Sequence, residues 1–402
     1  MPEMSSKSRI SIVGGGPAAL MLAAELDPKK YVVTLFEQNA ALGRKFLVAG
    51  QGGFNLTHSE NEAEFLKKYG PDNFLKDAFH FFNNEALRKW LKEKGIDTYV
   101  GTSKRVFPVK GIKPIEVLNV FERELEKKHV IVKLNHKWLG WDKNDDMLFE
   151  NKTGTIKIES DLVIFSLGGG SWKVTGSNSE WLNHFSDKKI RTSEFIPSNC
   201  AFEIDWDKPL KVAEGKALKN VVFYCNGKNK KGEAVLTKFG IEGSGVYGLS
   251  KEIREQLFKK KKATLEIDMK PEWEKEKILK LLSEKGKTSL KDALSKKIKL
   301  SEAQIELLKN RTSKEEYRDP KILSNLIKQF PLTIIGLAPL DEAISTVGGI
   351  ELSEVDTHFQ LKKLPGNFCI GEMLNWDAPT GGYLLQACFS IGNYLANYLN
   401  SK

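Results

Sequence analysis

Cysteine is scarce in this chain and none of it is paired by spacing: Cys200, Cys225, Cys369 and Cys388 are the only four in 402 residues, without a CxxC among them. A disulfide framework, a cysteine-held zinc site and a dithiol redox centre are therefore not expected, and the pattern suits a reducing cytoplasm. The six histidines are equally dispersed and stand in no ligand-like spacing to another His, Cys or acid, so no metal is expected. Long apolar runs are missing too. No stretch approaches the roughly 18 residues of a membrane span, and no membrane partner is expected. Residues 10–26 are apolar enough to imitate a secretion signal, but the glycines inside them, Glu25 and the strand that follows fit a nucleotide unit better. Arginine is rare, at nine of 62 basic residues. Base reading and two-pronged phosphate contact favour arginine over lysine, so the rarity weakens a nucleic-acid reading.

What is present is the composition of an ordinary globular protein, 41% hydrophobic and 28% charged. The length exceeds the roughly 250 to 300 residues at which one core usually stops growing, so two or three domains are expected. The net charge of +10 is unevenly spread: residues 251–330 hold 22 Lys and Arg against 14 Asp and Glu. Such a segment suits nucleic acid or another polyanion, but a lysine-heavy helical face is more often simply solvated.

The densest signal lies in residues 9–37. A short apolar run (Ile10, Ile12, Val13) enters Gly14-Gly15-Gly16-Pro17-Ala18-Ala19 and leaves as a helix over 20–26, then a second strand over 32–36 ends in Glu37. Strand, glycine turn, helix, strand and acid form the clamp for an adenine dinucleotide. Gly14 permits the turn, Gly16 admits a pyrophosphate to the backbone, and Ala19 lets the helix lie close to the strand. The helix's free amides then face the phosphates. Glu37 stands 23 residues beyond Gly14, near the ~20 expected of a ribose acceptor, with Gln38 beside it.

Residues 1–191 read as α/β, with a glycine-rich loop over 43–55, helices over 62–68, 72–81, 85–94 and 115–127, and a meander of short strands near 130–134, 137–141, 147–150 and 155–158. A buried strand then runs into Gly168-Gly169-Gly170. Over 192–270 strands recur at close spacing, as in a small β-domain. Residues 271–330 turn helical and basic, with start signals at Ser301 to Gln304, Ser313 to Glu316 and Asp319-Pro320. Residues 331–402 return through the β-domain to the nucleotide domain, where Gly371-Glu372 ends a buried strand and Thr380-Gly381-Gly382-Tyr383 opens a last helix. The nucleotide domain is thus split in sequence.

Three glycine-bearing strand ends, at Gly14, Gly168 and Gly371, are expected to converge at the carboxyl edge of one sheet. That exceeds what a nicotinamide needs. A Gly-Gly helix start offers open amides and a positive dipole end to the pyrimidine side of a flavin ring, and Glu372 offers an acceptor to ribityl hydroxyls. Arg44 and Lys45, after Gly43, are placed to offset phosphate charge or contact the adenosine half, or stand as exposed helix residues.

With Gly43-Arg44-Lys45-Phe46-Leu47-Val48-Ala49-Gly50-Gln51-Gly52-Gly53-Phe54-Asn55-Leu56-Thr57-His58, Arg105-Val106-Phe107-Pro108, and Gly371-Glu372 followed by Pro379-Thr380-Gly381-Gly382-Tyr383, the chain resembles the BaiN/RdsA-type NAD(P)/FAD-dependent oxidoreductases, also described as aminoacetone-oxidase-like flavoproteins. The resemblance spans essentially the whole chain, including Phe239-Gly240-Ile241-Glu242-Gly243-Ser244-Gly245. It implies a Rossmann-type FAD-binding domain interrupted by a β-barrel domain and a small helical domain. It also assigns Gly52, Gly53, Asn55 and Thr57 to the flavin loop, with Gly169 and Thr380 among the cofactor contacts. Many members carry Arg-Cys-Asn where this chain has Gly53-Phe54-Asn55, so no cysteine chemistry carries over to the loop.

The activity so implied is a flavoprotein oxidoreductase, driven by NAD(P)H and passing hydride to a reducible small molecule. Three alternatives stay open: reduction of a ribosomal RNA base held by the basic insert, amine oxidation by oxygen, and a non-enzymatic nucleic-acid-binding flavoprotein. His58 is the candidate proton donor or acceptor, since histidine needs little tuning near neutral pH; a lone His beside Thr and Ser is also an ordinary loop residue. Gly243-Ser244-Gly245-Val246-Tyr247-Gly248 is a formal GxGxxG that reads as a nicotinamide site, but the following segment is helical and leaves no parallel sheet to complete one.

Overall fold

The computed structural model describes residues 7–48, 54–177, 179–208, 210 and 213–402. The chain divides into two compact units, residues 1–196 with 344–402, and residues 197–343.

The first unit is built on five strands in the order Asn367–Cys369, Leu162–Phe165, Ser8–Val13, Tyr31–Glu37, Ile131–Leu134. Every neighbouring pair is parallel. Parallel neighbours require crossovers, and the connection after Ser8–Val13 supplies one in the helix Pro17–Glu25. Seven consecutive residues of that helix, Ala18 to Ala24, are buried, which marks a helix enclosed on all sides rather than a surface one. Its partner is the last helix, Tyr383–Asn400. Gly392 makes their approach possible, because a Cβ there would lie 2.4 Å from the carbonyl oxygen of Ala18. From Ser8–Val13 the chain first lays strands to one side and later to the other, so the end of that strand is the topological switch point where open α/β sheets hold ligands.

Two expectations change here. Residues 131–134 do not join the meander: they pair with Tyr31–Glu37 at the edge of the parallel sheet, and the meander keeps only Lys137–Trp141, Met147–Asn151 and Gly154–Ile158. Both arrangements satisfy a short alternating strand locally, so only the available neighbour distinguishes them. The loop over 43–55 also contains a helical turn, Arg44–Val48. A three-stranded sheet then joins Thr57–His58 to Arg105–Pro108 and Thr98–Val100.

The second unit is a closed antiparallel barrel in the order Phe202–Ile204, Gly240–Glu242, Lys228–Leu236, Ala217–Cys225, Ala263–Asp268, Phe330–Leu337, returning to Phe202–Ile204. The hairpin at Asn226 and Gly227, with φ of 49° and 77°, has the two left-handed residues that a tight turn between twisted strands requires. The basic helical stretch lies between the last two strands of the barrel. Its helices Lys275–Ser283, Glu302–Arg311 and Pro320–Lys328 place Ile278, Leu282, Leu307, Leu308, Leu323 and Ile327 in one continuous core with the barrel's Phe223, Leu265 and Ile334. The start signals act as read. Ser301 and Gln304 form a reciprocal capping box, and Asp319 caps the helix whose first residue is Pro320.

Candidate functional site

At the end of Ser8–Val13 the backbone turns through Gly14 at φ +100°, and the Gly14 amide donates to the carbonyl of Phe36 at 2.8 Å. A Cβ on Gly14 would stand 2.3 Å from the carbonyl oxygen of Ser166, so this glycine is required by the fold itself. Gly16 differs: its backbone is extended (φ −82°, ψ 179°), no side chain caps the helix it precedes, and a Cβ there meets none of the described residues beyond its chain neighbours within 4 Å. The first amides of Pro17–Glu25 therefore open onto unobstructed space, as an anion at a helix N-terminus needs. Ala18 and Ala19 are buried behind them.

Glu37 closes this turn. One carboxylate oxygen accepts from the Gly15 amide at 2.8 Å, the other from the Asn39 amide at 2.8 Å and the Asn39 side-chain amide at 2.6 Å. A carboxylate has about four lone-pair sites, so about one is left for a ribose hydroxyl while the rest hold the loop. Gln38 is exposed. Glu37→Ala is expected to cut FAD affinity about tenfold or more, combining a lost ribose acceptor with amides left unpaired. The ratio of flavin to protein absorbance after purification measures it, and unchanged flavin content would remove Glu37 from the site.

The other two glycine ends arrive where the topology sends them. Gly371, at φ +79°, would carry its Cβ 3.1 Å from Ala18 Cβ, so the end of Asn367–Cys369 abuts the first turn of Pro17–Glu25. Gly168 and Gly169 follow Leu162–Phe165, and the next amide, of Gly170, donates to Thr346 Oγ1 at 3.1 Å. Gly43 donates its amide to Gly15 at 3.0 Å. Arg44 is exposed and donates to Asn39 at 2.5 Å. Lys45 turns inward, donating to Ser171 Oγ at 2.8 Å and to Glu372 Oε2 at 3.1 Å. Its charge thus offsets Glu372, and the pair ties the Arg44–Val48 turn to the end of Asn367–Cys369.

Gly52 and Gly53 lie outside the described residues. Beyond them, the Asn55 side-chain amide nitrogen and the Thr57 hydroxyl are buried, and neither has a hydrogen-bond partner among the described residues. Gly382, at φ +99°, faces both: a Cβ would lie 2.6 Å from Thr57 Cα and 2.7 Å from Asn55 Nδ2. Gly382 also opens Tyr383–Asn400 without a side-chain cap, after Thr380 and Gly381. Buried polar atoms without partners cost about 1 to 3 kcal/mol each. Here they stand beside a bare helix start, the donor set that the polar edge of a flavin satisfies. The residues present thus fit FAD at both ends: a dinucleotide turn at Gly14 to Glu37, and a polar, glycine-lined corner at Asn55, Thr57 and Gly382.

His58 is buried beside this corner, its ring stacked on that of Tyr383 at 5.2 Å. Its Nδ1 lies 3.9 Å from Glu60 Oε2, which accepts the Tyr383 hydroxyl at 2.8 Å, while Lys68 Nζ lies 3.8 Å from the other oxygen. Burial first, then the bond to Glu60, pushes the Tyr383 hydroxyl above its ordinary pKa, so it stays a donor at neutral pH. Sequence reasoning missed Glu60. Its signal was the His-x-Glu spacing, which puts alternate residues on one side of an extended chain. Asn39, Ser171 and Thr346 carried no signal, since distant contacts alone give them their places.

Thiol chemistry has no support here. Burial raises the Cys388 thiol to about 12 and that of Cys369 well above its usual value, so neither supplies a thiolate. The second GxGxxG is filled by the barrel: a Cβ on Gly243 would lie 3.0 Å from Ala234 Cα, and one on Gly245 2.6 Å from the Phe223 ring. These glycines serve packing against strands and leave no room for a pyrophosphate. Among the described residues no three His, Cys, Asp or Glu side chains group as metal ligands, and no helix is long and apolar enough to cross a membrane.

A family model described as the HI0933-like protein Rossmann domain matches residues 8–398. The chain is 24% identical over 419 residues to the 3-dehydro-bile acid delta(4,6)-reductase of Clostridium scindens, covering 97% of this chain and 98% of the relative. It is 23% identical over 402 residues to the ribosomal RNA dihydrouridine synthase of Haemophilus influenzae, with 96% and 97% covered. Among solved structures it is similar to the 3-ketosteroid delta1-dehydrogenase of Sterolibacterium denitrificans at 10% identity and a TM-score of 0.49, over 99% of this chain and 100% of that one.

Proposed function

We propose, from the premise that this chain belongs to the HI0933-like family and is an FAD-dependent oxidoreductase, that it takes hydride from NAD(P)H and delivers it to an unsaturated small molecule. The observation that carries this reading is the turn at Gly16, where an added Cβ would meet no described residue beyond its chain neighbours within 4 Å. The relative from Clostridium scindens, named as a reductase of a 3-dehydro-bile acid, supports a reducible carbon framework as substrate. Bound FAD supplies hydride and electron transfer itself, which leaves binding, orientation and proton handling to the protein.

In that division the helix start at Gly16 and Pro17 binds phosphate, Glu37 holds the turn and a ribose, and Asn55 and Thr57 orient the ring. His58 holds the exchangeable proton. Its neighbour Glu60, partly exposed and within 3.9 Å, links it to solvent through the group that also receives Tyr383 and Lys68. His58→Gln is expected to leave the protein yellow and to slow turnover by about a hundredfold. Equal rates would make His58 scaffold.

Anaerobic stopped-flow mixing with NADH and with NADPH tests the donor. Bleaching of the flavin band, followed by reoxidation on adding an unsaturated acceptor, is the expected result; no bleaching by either nucleotide overturns it. A second reading, reduction of an RNA base, is favoured by the relative named as a ribosomal RNA dihydrouridine synthase and by the positive excess over 251–330. Reoxidation by ribosomal RNA but by no small acceptor would select it.

A further inference from the structure

The barrel unit carries a cleft of its own, about 340 Å³, between the strand Ala217–Cys225, the chain leaving Ala263–Asp268 and the start of Glu302–Arg311. Lys219, Lys270 and Lys299 line it together with Asn220, Trp273 and Ser301. None of the three lysines has a carboxylate partner among the described residues. The nearby acids are already engaged: Glu272, on the lining, pairs with Lys231 at 2.7 Å, and Asp268 pairs with Lys328 at 2.7 Å. Lys270 donates to the backbone carbonyl of Lys299 at 2.7 Å, which holds its ammonium against that stretch of chain. Burial first, and then the charge of Lys299, lowers the pKa of Lys270, the signature of an ammonium short of negative charge.

The backbone is shaped to make this wall. The register of Ala217–Cys225 slips between Leu218 and Val221, and Asn220 within the slip adopts φ 54°. A bulge of this kind releases Lys219 and Asn220 from the regular ladder and re-aims them. The positive end of the ten-residue helix Glu302–Arg311, beginning beside Ser301, adds its dipole to the same space.

We propose that this cleft binds the phosphate group of a nucleotide, free or within an RNA strand. Three lysines act as compact point charges suited to a multivalent oxyanion. The volume sits at the small end of ligand sites, about 300 to 1,000 Å³, enough for one nucleotide unit. The flavin site plays no part in this assignment.

The test is titration calorimetry on the full-length, FAD-loaded protein at low salt, with ADP, pyrophosphate and a twelve-nucleotide RNA as probes. The double variant Lys270→Gln/Lys299→Gln is expected to keep its flavin and to bind these probes at least about tenfold more weakly, with a salt slope for RNA shallower by about one to two. Lys219→Gln, at an exposed position, is expected to weaken binding severalfold (about three- to fivefold) and reports independently if the double variant folds poorly. Binding of ADP and RNA, both reduced by the variants, establishes a nucleotide phosphate site; binding of RNA alone, similarly reduced, assigns it to the strand backbone. Affinities equal in wild type and variants, or no binding of any probe, overturn the proposal.

Discussion

Gly16→Val is expected to give a folded protein that purifies without colour. The backbone at Gly16 is extended, at φ −82° and ψ 179°, a conformation open to any residue, so valine costs the fold little beyond its poor rating at a helix N-cap, about 1 kcal/mol. Among the described residues, nothing beyond its chain neighbours lies within 4 Å of the added Cβ, so the branched side chain intrudes on what lies in front of the helix. A pyrophosphate held by those first amides needs to approach the backbone closely. Loss of FAD affinity by about a hundredfold or more, equivalent to about 2.7 kcal/mol, is the expected size. Circular dichroism should show a native fold, and the absorbance near the flavin maximum should fall to background. A yellow, fully loaded Gly16→Val protein would place the pyrophosphate elsewhere.

Gly14→Ala, two residues away, is expected to do the opposite and damage the fold before the ligand. At φ +100° a side chain is strained, and the new Cβ would stand 2.3 Å from the carbonyl oxygen of Ser166 and 2.9 Å from its carbon. Both are backbone atoms of the adjoining parallel strand's exit and have no rotamer to yield. Strain and overlap together should cost about 3 to 5 kcal/mol. For a unit of this size that lowers the melting temperature by roughly 10 °C. Melting both apoproteins side by side separates the two glycines: Gly14→Ala should melt early without any FAD present, while Gly16→Val should melt close to wild type. A Gly14→Ala apoprotein that melts within about 2 °C of wild type would contradict the packing described.

The contrast between these glycines shows where sequence reading stops. A fingerprint assigns Gly14 to a turn and Gly16 to a ligand by position, and the local pattern of strand, turn and helix was legible because each part needs only its neighbours. The capping box at Ser301, the Asp319-Pro320 helix start and the return of Gly371 to the nucleotide domain were legible for the same reason. The pairing of Lys45 was not: it reaches Glu372 at 3.1 Å, 327 residues away, and the two charges offset each other. Glu37 was read as a ribose acceptor, yet three protein hydrogen bonds occupy most of its carboxylate. The strand over 131–134 and the helices over 271–330 were legible as elements, but not by the sheet or core that they join.

By itself the sequence determined the local conformations: a glycine turn between a buried strand and a buried helix, the starts of helices, and the alternation of strands that form a barrel. Each follows from dihedral limits, periodicity and hydrogen bonds within a few residues. Only the tertiary structure decided which glycine is open to a ligand and which is closed by Ser166, that Asn55 and Thr57 are buried beside Gly382, and that Tyr383 and His58 meet at the carboxylate of Glu60. The physical reason is that space and partners at a site are supplied by segments hundreds of residues apart, and a contact of that kind leaves no periodic trace in either segment.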